Sequence, residues 1–382
     1  MYNFIVWKYI ASMGPVASEK LYNLKFQFLA LENGWKKPPD VWKKCVVRTF
    51  SILTFAVGRL YIDHTFSTTA KSTIDHLVEA VNVTMGDVIM KMKWLDAKTK
   101  HEAMRKLRKM IAKVGYPEWM RNDSYLNELY SQVPIITEKS SFVRLFYDVS
   151  RLDSIYSLQS LREAYNSTEA WGSGPADVNA YYSPNDNDIS FPAGILQPPF
   201  FQHGMPPYIN MGAIGTIIGH ELAHAFDDFG SQYDADGVLR DWWTPETRKK
   251  FLERAQCFVE QYGNVTVDNG TLRLNGVNTQ GENIADNLGL KAAYMAFERS
   301  DMNNIKLPGL EGFTPEQLFF IANAMVWCST STSSGLRYRV LYGQHSPTRY
   351  RVNVPMSNLM EFSEAFGCKT TSPMYAKKRC TM

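Results

Sequence analysis

Residues 219–229 read GHELAHAFDDF and contain the pattern His-Glu-x-x-His. On an α-helix this spacing places His220 and His224 on one face, one turn apart, so both imidazoles can reach a single cation. Glu221 then faces the same site, where it can take a proton from an attacking water, as in zinc hydrolases. The chain has 7 histidines in 382 residues, so a chance match on a core helix is expected about once in a hundred such chains.

A hydrolytic zinc site needs a third protein ligand and one open position. A metzincin would have Gly at position 227 and His at position 230, where the chain has Asp227 and Gly230. An aminopeptidase-type site would have Glu at position 243, where the chain has Trp243. Both classes are therefore excluded, and the third ligand lies elsewhere.

Glu282 is the leading candidate for that ligand. Glu282 lies one helical turn before Asp286 in the stretch GENIAD, so both carboxylates would lie on one side of a helix. Asp286 could then accept a hydrogen bond from a ligating histidine, through the ring nitrogen that does not bind the metal. Glu246 competes because it is close to the motif. However, Thr244, Pro245 and Glu246 form a sequence typical of a helix N-terminus.

Several stretches together identify a resemblance. They are residues 179–184 (NAYYSP), 191–200 (FPAGILQPPF), 219–229, 281–286 (GENIAD), 326–328 (VWC) and 345–347 (HSP). On these motifs the chain resembles the neprilysin and endothelin-converting-enzyme family of zinc metallopeptidases. Family members have a longer ectodomain, and this chain is similar to its C-terminal half.

The resemblance implies a mainly α protein with a small β-sheet. Residues 171–382 would form a thermolysin-like zincin catalytic domain, and residues 1–170 would form part of a helical lid domain. One zinc ion would be bound by His220, His224 and Glu282, with Asp286 and Asp227 orienting the histidines.

The resemblance also assigns substrate contacts. Asn179 and Ala180 would lie on an edge strand that pairs with the peptide backbone. His345 would donate a hydrogen bond to the developing oxyanion, and Arg351 would hold substrate carbonyls. A hydrophobic pocket for the residue after the scissile bond would be walled by Ile195, Phe200, Ile217, Val326 and Trp327.

The resemblance therefore implies an endopeptidase that cuts oligopeptides on the amino side of hydrophobic residues. The alternative is a catalytically impaired truncated member that binds peptides as a decoy. The net charge of +3, from 41 Lys and Arg against 38 Asp and Glu, indicates no nucleic-acid surface. The oligomeric state cannot be read from the sequence.

The sequence contains no apolar run long enough to span a membrane. Its first residues lack the basic region of a signal peptide. Sequons begin at Asn82, Asn122, Asn166, Asn264 and Asn269. With the resemblance, they favour an extracellular protein, either secreted or the ectodomain of a membrane-anchored one, whose signal or anchor would lie upstream.

Outside the motifs, periodicity predicts helices over residues 40–62 and 95–114, and short strands over 178–182 and 188–191. The basic run at residues 106–109 is interpreted as a solvated helix face. The five cysteines are an odd set. Their spacing does not show the pairing, but the resemblance implies a disulfide between Cys257 and Cys380, with Cys45, Cys328 and Cys368 free.

Overall fold

A computed structural model describes residues 1–300 and 305–382. The chain is mainly helical with small sheets, which confirms the predicted fold class. The α-helices are α1 (Tyr2–Ala17), α2 (Glu19–Asn33), α3 (Val41–Ile52), α4 (Thr54–Thr65), α5 (Thr68–Lys91), α6 (Ala97–Lys109), α7 (Asp123–Leu129), α8 (Phe142–Gln159), α9 (Pro207–Asn210), α10 (Thr216–His224), α11 (Pro245–Gly263), α12 (Gln280–Glu298), α13 (Pro315–Val326), α14 (Ser333–Tyr342), α15 (Thr348–Asn358) and α16 (Met360–Ala365). The strands are β1 (Ile111–Gly115), β2 (Tyr181–Ser183), β3 (Asp188–Pro192), β4 (Thr266–Val267) and β5 (Leu272–Arg273).

Two compact units divide the described chain. The first comprises residues 1–65, 116–175 and 332–335, and the second comprises residues 66–115, 176–331 and 336–382. Residues 66–115, which the sequence analysis places in the N-terminal segment, therefore pack with the second unit. The domain boundary at residue 170 stays a prediction.

The first unit is built from helices around a small core of Ile52, Phe146 and Val149. The single helix predicted over residues 40–62 is wrong, because α3 and α4 are separated at Leu53, whose backbone leaves the helical region. Residues 41–57 contain no proline or glycine, so the local sequence does not indicate this break. No single helix of the described residues is long and apolar enough to cross a membrane; α3 and α4 pass that test of length and composition only as a pair, bent by 110°.

The second unit contains a three-stranded sheet in the order β1-β3-β2. The helix predicted over residues 95–114 is wrong in its last part, since α6 ends at Lys109 and β1 pairs in parallel with β3. The backbone groups of β1 find partners far along the chain, which a local periodicity cannot show. Strand β2, antiparallel to β3, lies at an edge and begins at Tyr181 rather than at residue 178.

Helices α10 and α12 cross very closely beside this sheet. A Cβ at Gly219 would lie 2.4 Å from the carbonyl oxygen of Gly289, so only glycine allows the two backbones to approach this far. The close crossing brings the first turns of α12, which carry Glu282 and Asp286, alongside His220 of α10.

Lys106 departs from the prediction of a solvated basic run. Its side chain is only 1% exposed, and Leu107 is also buried, whereas Arg108 and Lys109 are not buried. Helix α6 therefore presents only part of its basic run to solvent. The prediction is wrong at Lys106 because its side chain points into the interior of the second unit, where it donates to three backbone carbonyls.

The C-terminal residues are tied to α11 by the predicted disulfide. Cys257 and Cys380 are bonded, which confirms the pairing that the resemblance implies. Cys45, Cys328 and Cys368 are free. The predicted N-terminus of α11 is also confirmed, with Thr244 as the N-cap and Pro245 in the first turn.

Candidate metal centre

The two histidines of α10 face each other across one helical turn. Their Nε2 atoms are 2.9 Å apart. His220 Nδ1 lies 2.9 Å from Asp286 Oδ1, and His224 Nδ1 lies 2.6 Å from Asp227 Oδ2. With each Nδ1–H donated to a carboxylate, both Nε2 lone pairs point at one spot, where they repel unless a cation or a proton lies between them.

Glu282 brings a carboxylate oxygen to the same spot. Its Oε2 lies 3.3 Å from His220 Nε2 and 3.7 Å from His224 Nε2. This oxygen is buried and has no hydrogen bond of acceptable geometry, although the His345 Nε2 atom is 3.0 Å away. An orphaned carboxylate oxygen beside two imidazole nitrogens is an arrangement that a metal ion would satisfy.

The three predicted ligands form a group whose donor atoms all lie within 4.8 Å of one another. Two imidazoles and one carboxylate are the donor set of many catalytic zinc sites, which leave a further position open. The residues present therefore fit the zinc ion that the resemblance implies. Glu246, the competing candidate, is instead exposed and pairs with Lys250 at 2.5 Å.

Buried carboxylates give this centre a negative potential. Burial by itself lowers the pKa of His220, but the neighbouring carboxylates of Asp286 and Glu282 outweigh it and raise that pKa to about 10. Burial by itself raises the pKa of Glu282, yet the neighbouring imidazoles of His220, His345 and His224 hold it far below its usual range. A potential that favours a proton on these nitrogens also favours a divalent cation.

Asp286 has a second partner, Arg351, which the sequence analysis did not predict. Besides His220, it accepts a bidentate pair of hydrogen bonds from Arg351, with Nε at 2.9 Å and Nη2 at 2.8 Å. The Arg351 guanidinium is buried and lies 4.1 Å from the ring centre of Trp327. Because Asp286 binds one edge of the guanidinium and Trp327 covers one face, Arg351 is fixed at the wall of the site.

Asp227 is held by its own loop. Its Oδ1 accepts hydrogen bonds from the backbone N–H groups of Phe229 at 2.8 Å and Gly230 at 2.6 Å. The other oxygen, Oδ2, is thereby aimed at His224. These hydrogen bonds agree with the predicted role of Asp227, which is to orient His224 as a metal ligand. The role itself stays a prediction.

Glu221 lies next to His220 on α10 and is buried. Burial raises the pKa of its carboxyl, and the positive charges of His220 and His224 oppose that shift. A carboxylate of raised basicity beside a metal centre is suited to accept a proton.

A cleft of about 570 Å³ opens over the centre. It is lined by the three predicted ligands, by Glu221, His345 and Asp227, and by every predicted substrate contact. Asp286 does not reach the cleft; it lies behind His220 in a small adjoining cavity. The lining also includes residues that the sequence analysis missed, namely Val178, Tyr181, Tyr182, Pro184, Phe229 and Gly230.

The missed residues follow or precede predicted ones. Tyr181 and Tyr182 extend the edge that begins at Asn179, and Phe229 and Gly230 follow Asp227. Alternation along the edge strand could have indicated at most one of these tyrosines, because successive side chains of a strand point to opposite faces. No comparable signal marks Phe229, which enters the cleft because the loop after α10 turns back.

The comparisons with known proteins agree on one family. Residues 179–382 and residues 1–117 match the two family models described as peptidase family M13. Neprilysin-1 of Trittame loki is 38% identical over 388 residues, which cover 100% of this chain and 54% of the relative. Endothelin-converting enzyme 1 of Bos taurus is 36% identical over 388 residues, which cover 99% of this chain and 50% of the relative.

Solved structures show the same similarity. A zinc metalloprotease of Mycobacterium tuberculosis in complex with an inhibitor has a TM-score of 0.88 at 33% identity, covering 98% of this chain and 56% of that one. PepO from Lactobacillus rhamnosis HN001 has a TM-score of 0.85 at 27% identity, covering 96% of this chain and 55% of that one. The chain thus spans about half the length of the curated relatives it matches.

Proposed function

Because the chain belongs to peptidase family M13, we propose that it is a zinc-dependent endopeptidase that hydrolyses oligopeptides on the amino side of hydrophobic residues. The observation that carries the proposal is the convergence of His220, His224 and Glu282 at one cleft. Glu221 lines the same cleft, so a proton acceptor and a metal centre face one substrate site.

Each of these residues would have a separate role in peptide hydrolysis. His220, His224 and Glu282 would hold the zinc ion, which would supply Lewis-acid chemistry for water and for the scissile carbonyl. Glu221 takes a proton from the attacking water and passes it to the leaving nitrogen. His345 donates an N–H to the oxygen that becomes negative, and Arg351, anchored by Asp286, donates to a substrate carbonyl.

The peptide would be recognised through its backbone and through one side chain. Asn179 and Ala180 precede the edge strand β2 and line the cleft, where a substrate can add as a further strand. The wall beyond the centre is apolar and favours a hydrophobic side chain after the scissile bond. That wall consists of Ile195, Phe200, Ile217, Val326 and Trp327.

Cleavage mapping tests this function. We expect the zinc-loaded chain to cut a library of short peptides before Phe, Leu, Ile or Met, and to lose the activity when a chelator removes the metal. Mass spectrometry of the products locates each cut. Cleavage with no preference at that position would contradict the pocket, and zinc and peptide binding without cleavage would favour the decoy alternative.

His345→Ala should lower kcat by about 10²- to 10³-fold while KM changes much less, because the lost hydrogen bond forms mainly in the transition state. Steady-state kinetics at saturating zinc measures both constants, and the zinc content of the variant is checked because His345 lies 3.0 Å from Glu282. His203→Ala removes an exposed histidine of the same unit and should leave both constants unchanged. An effect of His345→Ala on KM alone would instead assign His345 to ground-state binding.

An extracellular location remains part of this proposal. The Cys257–Cys380 disulfide is typical of an oxidising compartment. Among the sequons, the asparagines at 122, 166, 264 and 269 are exposed, whereas Asn82 is partly buried in α5 and its Thr84 is buried. Asn82 is thus less accessible to a glycan in the folded chain than the other four asparagines.

A further inference from the structure

Lys106 is a buried cation whose ammonium donates three hydrogen bonds to one segment of the chain, residues 225–233. Its Nζ donates to the carbonyl oxygens of Ala225 at 2.9 Å, Gly230 at 2.7 Å and Tyr233 at 2.7 Å. An ammonium has three N–H donors and no acceptor, so three carbonyls satisfy it completely. The three acceptors all belong to residues 225–233, the segment that follows the metal-binding helix.

This segment connects directly to the metal centre. Ala225 is the C-cap of α10, one residue after His224, and the cation lies at the negative end of that helix. Gly230 has two roles, because its N–H bonds Asp227 Oδ1 while its carbonyl accepts from Lys106. Asp227 in turn holds His224 Nδ1 at 2.6 Å. A continuous chain of hydrogen bonds therefore runs from Lys106 through Gly230 and Asp227 to His224.

Other donors satisfy only part of this set of carbonyls. The Gly230 carbonyl also accepts from the Tyr233 N–H at 3.0 Å, and the Tyr233 carbonyl also accepts from Trp242 Nε1 at 3.0 Å. Lys106 Nζ lies 5.7 Å from the ring centre of Tyr182 and 6.0 Å from that of Phe226, so aromatic rings flank it. An apolar side chain in its place would remove one donor from the Gly230 and Tyr233 carbonyls and would leave the buried Ala225 carbonyl without a donor among the described residues. An unpaired buried carbonyl costs free energy. Burial of the ammonium has its own cost, which lowers the pKa of Lys106 to about 7 even though Asp227 and Asp234 oppose the shift.

We propose that Lys106 is a positioning residue for the metal centre, which fixes residues 225–233 so that Asp227 holds His224 in the orientation that binds zinc. The inference rests on the proposed function only in taking zinc as the ion. Lys106 does not line the cleft, and its ammonium donates its hydrogen bonds to residues 225–233 and not to a predicted ligand, so it acts through that segment.

Zinc affinity provides the first test. Lys106→Met in the full chain should weaken zinc binding by about 10- to 100-fold, the effect usually seen when the support of a ligand is removed. The dissociation constant is measured by competition with a chromophoric chelator. Lys113→Met is the matched control, because Lys113 is also a buried lysine of the second unit but pairs with Asp188 on the sheet. It should lower stability and keep the zinc affinity of the parent.

Two further measurements separate positioning from a general loss of stability. In the metal-free protein, backbone amides of residues 225–233 should exchange with deuterium faster in Lys106→Met than in the parent or in Lys113→Met. In an Asp227→Ala background, Lys106→Met should change zinc affinity little, since both substitutions break the same chain of bonds. Lys106→Gln keeps two N–H donors and should give a zinc affinity between those of the parent and Lys106→Met. If Lys106→Met does not fold, Lys106→Gln takes its place in these measurements, and the same results support or contradict the proposal.

The inference is overturned if Lys106→Met and Lys106→Gln bind zinc as tightly as the parent. It is also overturned if the loss of affinity is as large in the Asp227→Ala background as in the parent. A parent that binds no zinc would overturn the proposed function itself, and that result is visible before any variant is compared.

Discussion

Glu221→Gln should abolish most peptide hydrolysis and leave zinc binding intact. The substitution removes the carboxylate that accepts the proton of the attacking water, and it removes none of the three donor atoms of the metal centre. A positioned general base contributes about 10²- to 10⁴-fold to a rate, so kcat should fall by that factor. Glu221 is buried beside His220 and lines the cleft, so the amide of glutamine fills the same space without the charge.

Steady-state hydrolysis of one cleaved peptide gives kcat, and elemental analysis gives zinc per chain. Glu246→Gln is the matched control, since Glu246 is an exposed carboxylate at the start of α11 that pairs with Lys250. It should keep both the activity and the metal, which also tests its exclusion as a ligand. Hydrolysis by Glu221→Gln at the parent rate would contradict the role of Glu221 as the base.

Replacing both Cys257 and Cys380 by alanine should lower the free energy of unfolding of the second unit by about 4–5 kcal/mol. The disulfide closes a loop with a sequence separation of 123 residues, and in the chain-entropy model a loop of this length restricts the unfolded state strongly. Cys380 is buried beside the core, so the bond also anchors the last residues to α11.

Urea unfolding of the zinc-free proteins, followed by tryptophan fluorescence, measures the difference without the stabilisation that bound metal adds. Trp94, Trp242 and Trp243 lie in or against the core of the second unit and report on it. Cys328→Ala removes an exposed free thiol and should leave the midpoint unchanged. Five alkylatable thiols in the native protein would show that the disulfide is absent and would contradict the prediction.

The sequence motifs predicted those parts of the centre that depend on one helix. His220, His224 and Glu221 are arranged by α-helical periodicity, which holds wherever the helix lies. The spacing of Glu282 and Asp286 is likewise local, as is the N-terminus of α11 at Thr244. The resemblance, confirmed by the match to peptidase family M13, added what spacing could not, including the pairing of Cys257 with Cys380.

Tertiary structure decided the rest, because burial and partners depend on segments that are distant in sequence. Residues 111–114, predicted as the end of a basic helix, lie in strand β1 instead because β3 provides hydrogen-bond partners for their backbone groups. Asp286 acquired Arg351 as a second partner only when α15 packed against α12. Lys106 resembles its exposed neighbours in sequence, and only the carbonyls of residues 225–233 turn it inward. A local pattern specifies which side chains share a helix face, whereas packing determines what that face contacts.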